Sequence, residues 1–187
     1  VRTPTLTILV DPVLKGFASP VPVAGRPFAG SDVYGVEDMP NLDVVLITHD
    51  HYDHLHYETI SKLVSGNAVF VTSLGVGAHL EFWGVPASRI VELDWWERHD
   101  MANGATFTAT PARHFSGRLF RRGQTLWSGF VLEVDGLRLF LGGDSGYGKH
   151  FREIGQRFGE FDLVLLECGQ YSPYWPYIHM QPEETVQ

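Results

Sequence analysis

The chain has 187 residues, 44% of them hydrophobic, which suits a globular domain with a sizeable core. Its 22 acidic and 14 basic residues give a net charge of −8, which argues against broad nucleic-acid binding because that function usually needs a basic face. No apolar run approaches the roughly 18 residues of a membrane-spanning helix, and the single cysteine, Cys168, excludes an internal disulfide.

Seven short runs rich in β-branched residues predict strands. In chain order, these runs are 5–10, 43–48, 68–72, 105–110, 126–134, 137–141 and 161–166. Asp135 and Gly136 separate the fifth run from the sixth, and this dipeptide is typical of a two-residue hairpin turn.

Three segments have the apolar spacing of amphipathic helices: 57–64, 76–83 and 149–158. Gly84 and Gly159 follow the last two segments and suit helix ends, because glycine adopts left-handed backbone angles easily. Pro182 and the two acids after it predict the first turn of a fourth helix. Strands interleaved with helices, together with an antiparallel pair, indicate a layered α/β fold with mixed sheets.

Residues 11–40 contain five prolines and match no regular element. So long a loop is uncommon in a compact domain unless it has a use. It is interpreted either as a lid or substrate-binding loop, or as an insertion with no role in the site.

Residues 48–55 read THDHYDHL and follow an apolar run, so a buried strand delivers them at its C-terminal end. Ligands of open α/β sheets bind at that end. His49 and His51 are two apart and point the same way in extended backbone, whereas Asp53 and His54 are adjacent and diverge. We therefore expect two divalent metal ions, with zinc favoured by these ligand types and manganese or iron as alternatives.

His114 and Asp144 are predicted to complete this site, because each follows a predicted strand. His114 lies in PARHFSGR and Asp144 in FLGGDSGYG, where the two glycines permit close backbone approach. Asp144 could instead cap the next helix, but the histidine cluster favours a metal ligand.

His179, in YIHMQPEE, is predicted to be a site residue whose role is left open. It follows an aromatic run that includes Trp175. Trp175 and Tyr147 are the predicted substrate contacts, and ordinary packing is the alternative for each aromatic residue.

A strand leading into THDHYDHL, then PARHFSGR, then FLGGDSGYG resembles the metallo-β-lactamase fold superfamily. The segments ILVDPVLKGFASP, VELDWWE and HMQPEETV make the chain similar to the N-acyl-phosphatidylethanolamine-hydrolysing phospholipase D branch and its bacterial relatives. Ascorbate-6-phosphate lactonases are more distant kin. The resemblance runs from about Leu9 to the last residue and implies a four-layer αβ/βα sandwich with a dinuclear metal site on one edge.

The resemblance also assigns six ligands. The first metal would be held by His49, His51 and His114, the second by Asp53 and His54, with Asp144 bridging the two. A Gly-His segment on an earlier strand is absent here, and the family's seventh ligand, a histidine, lies beyond the Pro-Glu-Glu helix. His179 aligns with a different family histidine, near the substrate. We therefore expect residues 1–187 to be one hydrolase domain, incomplete at both ends and part of a longer protein.

The predicted reaction is hydrolysis of a phosphodiester, by resemblance in a phospholipid-like substrate. Two metals with a bridging hydroxide would provide the nucleophile at neutral pH. Asp53 would orient it, and His179 would contact a phosphate oxygen or protonate the leaving group. The alternatives are a lactonase or other ester hydrolase, a binding protein that kept the metal pocket, and a nuclease, which the charge disfavours.

The expected partners are a small-molecule or lipid substrate and, by peripheral contact, a membrane surface. Nucleic acid is not expected as a partner. Oligomeric state and compartment stay open, with the cytoplasm favoured.

Overall fold

The computed structural model describes residues 1–21, 24–169, 172 and 174–187. The strands in this part of the chain are β1 (Ile8–Val10), β2 (Val44–Ile47), β3 (Val69–Ser73), β4 (Ile90–Leu93), β5 (Arg98–Asp100), β6 (Thr106–Thr110), β7 (Gly117–Arg118), β8 (Arg121–Arg122), β9 (Gly129–Val134), β10 (Leu137–Leu141) and β11 (Leu163–Leu165). The helices are α1 (Tyr57–Leu63), α2 (Gly77–Phe82), α3 (Lys149–Phe158) and α4 (Pro182–Thr185), with short 3₁₀ helices at Val36–Asp38 and Ala87–Arg89.

Two sheets contain most of the strands. The first is parallel with the order β1-β2-β3-β4, and the second is mixed with the order β11-β10-β9-β6-β5. Strands β9 and β10 are joined by Asp135 and Gly136, whose φ angles of 53° and 78° are both positive. A two-residue type I′ turn requires such angles, so the predicted hairpin is confirmed.

The two sheets face each other across the main core, where Leu46 of β2 and Phe107 of β6 are both fully buried. The outer face of the parallel sheet packs on α1 and α2, whose buried residues include Leu80. The outer face of the mixed sheet packs on α3, where Phe140 meets Ile154. Burial of each such side chain contributes about 1.5–3 kcal/mol. The four predicted layers are therefore, in order, helices α1 and α2, the parallel sheet, the mixed sheet and helix α3.

All four predicted helices are present, and Gly84 and Gly159 have positive φ angles of 97° and 75° beyond α2 and α3. The structure adds β4, β5, β7 and β8, which the sequence patterns do not predict. Each of these strands has only two to four residues, too short for a clear alternation of apolar and polar positions.

Two further differences concern loops. The predicted strand 126–134 begins only at Gly129, because the amides of Leu126 and Ser128 donate to the carbonyls of Leu74 and Thr48 instead. Residues 11–40 contain one short 3₁₀ helix, and residues 22 and 23 of this loop lie outside the described part. Among the helices that the structure describes, none is long and apolar enough to cross a membrane.

Candidate metal centre

The ends of three strands bring polar side chains to one edge of the sandwich. Strand β2 runs into Thr48 and the histidine segment, β6 leads to His114, and β10 leads to Asp144. Strands β6 and β10 are both antiparallel to β9, so they point in the same direction and end at the same edge. The amide of Ser128 donates to the carbonyl of Thr48, and this bond links the edge to the parallel sheet.

His49, His51 and His114 form the first group of converging side chains. Nε2 of His49 lies 2.9 Å from Nδ1 of His51, and Nε2 of His114 lies 3.2 Å from that same Nδ1. One ligand atom from each residue lies within 4.8 Å of the other two. These are the three residues that the sequence assigns to the first metal.

Burial keeps these three imidazoles neutral. It lowers the pKa of His51, lowers that of His49 well below 6.5, and brings that of His114 to about 4. Nδ1 of His114 donates to the carbonyl of Ile178 over 2.9 Å, so its Nε2 carries a lone pair directed at the cluster. Neutral imidazoles with converging lone pairs are the form that binds a divalent cation.

His54 lies between two carboxylates. Its Nδ1 is 2.8 Å from Oδ2 of Asp11, and its Nε2 is 3.2 Å from Oδ2 of Asp144. Burial favours the neutral ring, but the two carboxylates outweigh it and raise the pKa of His54 well above 6.5. A site that stabilises a proton in this way also suits a divalent cation between His54 and Asp144. His49 belongs to the same group, with ligand atoms within 4.8 Å.

Asp11 is a site residue that the sequence analysis missed. Its carboxylate accepts hydrogen bonds from the amide and the hydroxyl of Thr48, at 2.8 Å and 2.7 Å, in addition to its contact with His54. Its φ angle is 42°, in the left-handed region that costs energy for a residue with a side chain. Its position directly after β1, like that of Asp144 after β10, is the signal that would have identified it.

Asp144 is held toward the cluster and does not cap a helix. The residue at the start of α3 is Gly148, with no side-chain cap. Gly143 has a φ of 59°, and a Cβ atom there would lie 2.9 Å from the side chain of Thr48. The glycine before Asp144 therefore permits the close approach that the sequence predicts.

His179 joins a third group, with His114 and Asp144. Its Nδ1 lies 4.0 Å from Oδ2 of Asp144 and 3.1 Å from Oε1 of Glu167. The structure therefore places His179 within reach of the same centre, on the segment before α4.

Glu167 is the second residue that the sequence analysis missed. Its Oε1 accepts from the amides of Ser145 and Met180, at 3.3 Å and 3.1 Å, and its Oε2 accepts from the amide of Gly169. Burial raises the pKa of Glu167, and the nearby His179 opposes this shift. Glu167 follows the apolar run that contains β11, which is again the pattern of a carboxylate after a strand.

Asp53 differs from the other predicted ligands. Its side chain is exposed, and among the described residues no group of three converging ligand side chains includes it. Tyr147 and Trp175 are 40% and 44% exposed, and each accepts a hydrogen bond through its backbone carbonyl. The carbonyl of Tyr147 accepts from Arg113 at 3.0 Å, and that of Trp175 accepts from the amide of His179 at 3.3 Å.

Comparison with known proteins gives matches over most of the chain. A family model described as Beta-lactamase superfamily domain matches residues 7–187. The uncharacterized protein Rv0906 of Mycobacterium tuberculosis is 46% identical over 180 residues, which cover 96% of this chain and 48% of that protein. N-acyl-phosphatidylethanolamine-hydrolyzing phospholipase D 1 of Caenorhabditis elegans is 31% identical over 191 residues, covering 96% of this chain and 54% of that protein.

The chain thus spans about half the length of these two curated relatives. Among solved structures, Igni18, a metallo hydrolase from Ignicoccus hospitalis, superposes with a TM-score of 0.69 at 20% identity. The match covers 99% of this chain and 70% of that one. At this identity, the likeness shows the shared fold.

Proposed function

The chain belongs to the family described as Beta-lactamase superfamily domain and has the metallo-β-lactamase fold. We propose that it is a metal-dependent hydrolase of phosphodiesters. The observation that carries the proposal is the convergence of buried imidazoles and a carboxylate at one edge of the sandwich. Similarity to the phospholipase D of Caenorhabditis elegans supports a phosphodiester in a phospholipid-like substrate.

The proposed centre holds two divalent ions, with zinc as the first choice and manganese or iron as alternatives. His49, His51 and His114 would hold one ion, His54 and Asp53 the other, and Asp144 would be shared. Asp53 is included on the family resemblance alone, because its exposed side chain lies outside the converging groups. When bound, such ions supply a nucleophile at neutral pH and stabilise the negative charge that develops during attack on phosphorus.

The residues around the ligands fix the orientation of the rings. Nδ1–H of His54 donates a hydrogen bond to Asp11, so a bound cation would replace the proton on Nε2, which faces Asp144. Nδ1–H of His114 donates to the carbonyl of Ile178, which leaves Nε2 of that ring to bind a cation. Partners of this kind set the tautomer and the direction of a ligating ring.

We assign proton transfer to His179. Glu167 holds its Nδ1, so Nε2 is the atom available to a substrate. As the bond between phosphorus and the leaving oxygen breaks, Nε2 would donate a proton to that oxygen, while Glu167 would hold the ring in position through Nδ1. The exposed rings of Tyr147 and Trp175 are the proposed contacts for the rest of the substrate.

The experiment that tests this proposal compares hydrolysis of bis-p-nitrophenyl phosphate with that of a small lactone. We expect the phosphodiester to be cleaved faster, activity to be lost on chelation, and activity to return with added zinc or manganese. His49→Gln should be inactive, whereas the control His99→Gln, on β5, should keep activity. A faster rate on the lactone would replace the proposed substrate class with an ester.

A further inference from the structure

We propose that the hairpin formed by β7 and β8 docks on an anionic lipid surface. Its turn residues are Leu119 and Phe120, because Arg118 pairs with Arg121 on either side of them. Leu119 is 76% exposed and Phe120 is completely exposed. Residues 118–122 form the tip of this hairpin.

The residues of this turn are unusual for its geometry. Two-residue hairpin turns favour glycine, asparagine or aspartate, which tolerate positive φ and solvent. Here Leu119 has a φ of 55°, a conformation that is costly for a bulky side chain. Two large apolar side chains at an exposed turn are unfavourable in water, and insertion into a lipid surface would remove them from it.

Positive charge is concentrated in the sequence on either side of the apolar turn. Four arginines lie within 113–122, and no aspartate or glutamate occurs anywhere in 101–132, although the whole chain has a net charge of −8. Arg121 and Arg122 are exposed, and no described carboxylate lies within ion-pair distance of either. Arg122 lies over the ring of Phe115, 5.0 Å from its centre, and its charge is not neutralised there. Arginines without an ion-pair partner beside an exposed apolar tip complement anionic headgroups.

The base of the hairpin is fixed to the histidine segment. The amide of Gly117 donates to Oδ1 of the buried Asp50 at 2.6 Å, and Arg118 donates to the carbonyls of Asp50 and Leu55 at 2.8 Å and 2.9 Å. The guanidinium of Arg118 also lies 4.0 Å from the ring centre of Tyr52. The tip is therefore held in a fixed relation to the segment that carries the proposed metal ligands.

A groove of about 890 Å³ lies between the tip and Tyr52 of the histidine segment. It is lined by Phe17 of the long loop, by Tyr52 of the histidine segment, and by Phe82 and Leu119. Phe82 is 87% exposed, so a second large apolar side chain borders the groove beside the turn. A lipid surface that meets the tip would thus also meet the mouth of a groove leading to Tyr52.

Arginines beside an aromatic ring are also found where proteins bind single-stranded nucleic acid. Lipid is favoured here because Leu119, an aliphatic residue, lies at the tip and cannot stack on a base. Binding to a single-stranded RNA is therefore a competing outcome of the test.

The test is co-sedimentation of the protein with vesicles of phosphatidylcholine alone or mixed with phosphatidylglycerol. We expect binding to the mixed vesicles that weakens with added salt. Phe120→Ser should weaken partitioning about tenfold or more, because a fully exposed ring no longer inserts. Arg121→Gln and Arg122→Gln should each weaken it about fivefold.

The matched control is Phe28→Ser, since Phe28 is 89% exposed and does not line the groove that Leu119 borders. It should bind mixed vesicles like the unchanged protein. Equal losses in the two serine variants, equal binding to both vesicle types, or binding to RNA without binding to vesicles would overturn the proposal. The readout is binding, so the outcome is independent of the proposed reaction. A urea-unfolding transition like that of the unchanged protein would show that Phe120→Ser is folded.

Discussion

At the scale of single residues, the role of each imidazole follows from the group that its ring faces. His54 lies between two carboxylates, whereas His49 and His114 are buried among other imidazoles. The same side chain therefore has a raised pKa in the first environment and a lowered one in the second. The arrangement of imidazoles and carboxylates at this sheet edge leads to three predictions.

Replacing Asp144 tests the assignment of the metal ligands. Asp144→Ala should reduce bound metal and abolish hydrolysis, because it removes the carboxylate shared by the two groups around His54 and His179. Metal content can be measured by inductively coupled plasma mass spectrometry. The control Glu81→Ala removes an exposed acid on α2 and should retain the metal. Full metal content in Asp144→Ala would remove Asp144 from the ligand set.

Glu167→Gln tests the assignment of His179. The substitution keeps the shape of the side chain but removes the negative charge beside Nδ1 of His179. We expect kcat on a phosphodiester to fall about 10–100-fold while bound metal is retained, a typical effect of losing an orienting partner. Glu167→Asp should recover part of the rate. A parallel loss of metal and activity would instead make Glu167 a structural support of the metal centre.

Acidification should destabilise the metal-free protein. The pKa of His114 is about 4 in the fold against 6.5 when unperturbed, so above pH 6.5 the ring is neutral in both states. Below 6.5 the unfolded chain takes up a proton that the folded chain does not, and stability falls by about 2 kcal/mol between about pH 7 and pH 5. The lowered pKa of His49 also reduces stability on acidification. The raised pKa of His54 has the opposite effect, because the stabilisation from its protonated ring is fully present below pH 6.5 and is lost as the pH rises through the raised value.

Urea denaturation at the two pH values measures this effect. His114→Gln should lose less stability on acidification than the unchanged protein. An identical loss in both proteins would show that His114 does not determine the acid sensitivity.

At the scale of elements, the sequence predicts those parts of the fold whose signal is local. The Asp135-Gly136 turn and the helix that ends at Gly159 depend on backbone preferences of neighbouring residues, and both are confirmed. Strand β5 and the hairpin of β7 and β8 are too short to show a period. The beginning of β9 depends on hydrogen bonds of Leu126 and Ser128 to distant carbonyls, which no local pattern contains.

Gly143→Ala tests the loop that presents Asp144. A Cβ atom at Gly143 would lie 2.9 Å from the side chain of Thr48, whereas Gly104, also at positive φ, has nothing within 4 Å. We expect Gly104→Ala to cost about 1–2 kcal/mol of stability through backbone strain alone. Gly143→Ala should cost about 1–3 kcal/mol more, because the neighbouring side chain must move.

Thermal or urea unfolding gives the two free energies, and metal analysis shows whether Asp144 is displaced. Equal costs for the two substitutions would mean that the contact with Thr48 relaxes freely.

At the scale of the whole molecule, the sandwich assembles a site from segments far apart in sequence. The sequence predicts His49 and His51 from a dense motif, and it predicts His114 and Asp144 because each follows a predicted strand. It misses Asp11 and Glu167, which also follow strands but lie in no dense motif, and whose partners His54 and His179 are distant in sequence. Partners of this kind are defined by three-dimensional proximity, which residue type and spacing do not encode.

Metal content of the purified protein is the most direct test of the proposed metal centre. After exposure to excess zinc and removal of free metal, we expect at least one equivalent, and two for the full proposed centre, bound per chain. His49→Gln, which removes a ring common to two groups of ligands, should bind markedly less. The proposed metal centre would be contradicted if the protein bound no zinc, manganese or iron. It would also be contradicted if the His49→Gln variant bound as much metal as the unchanged chain.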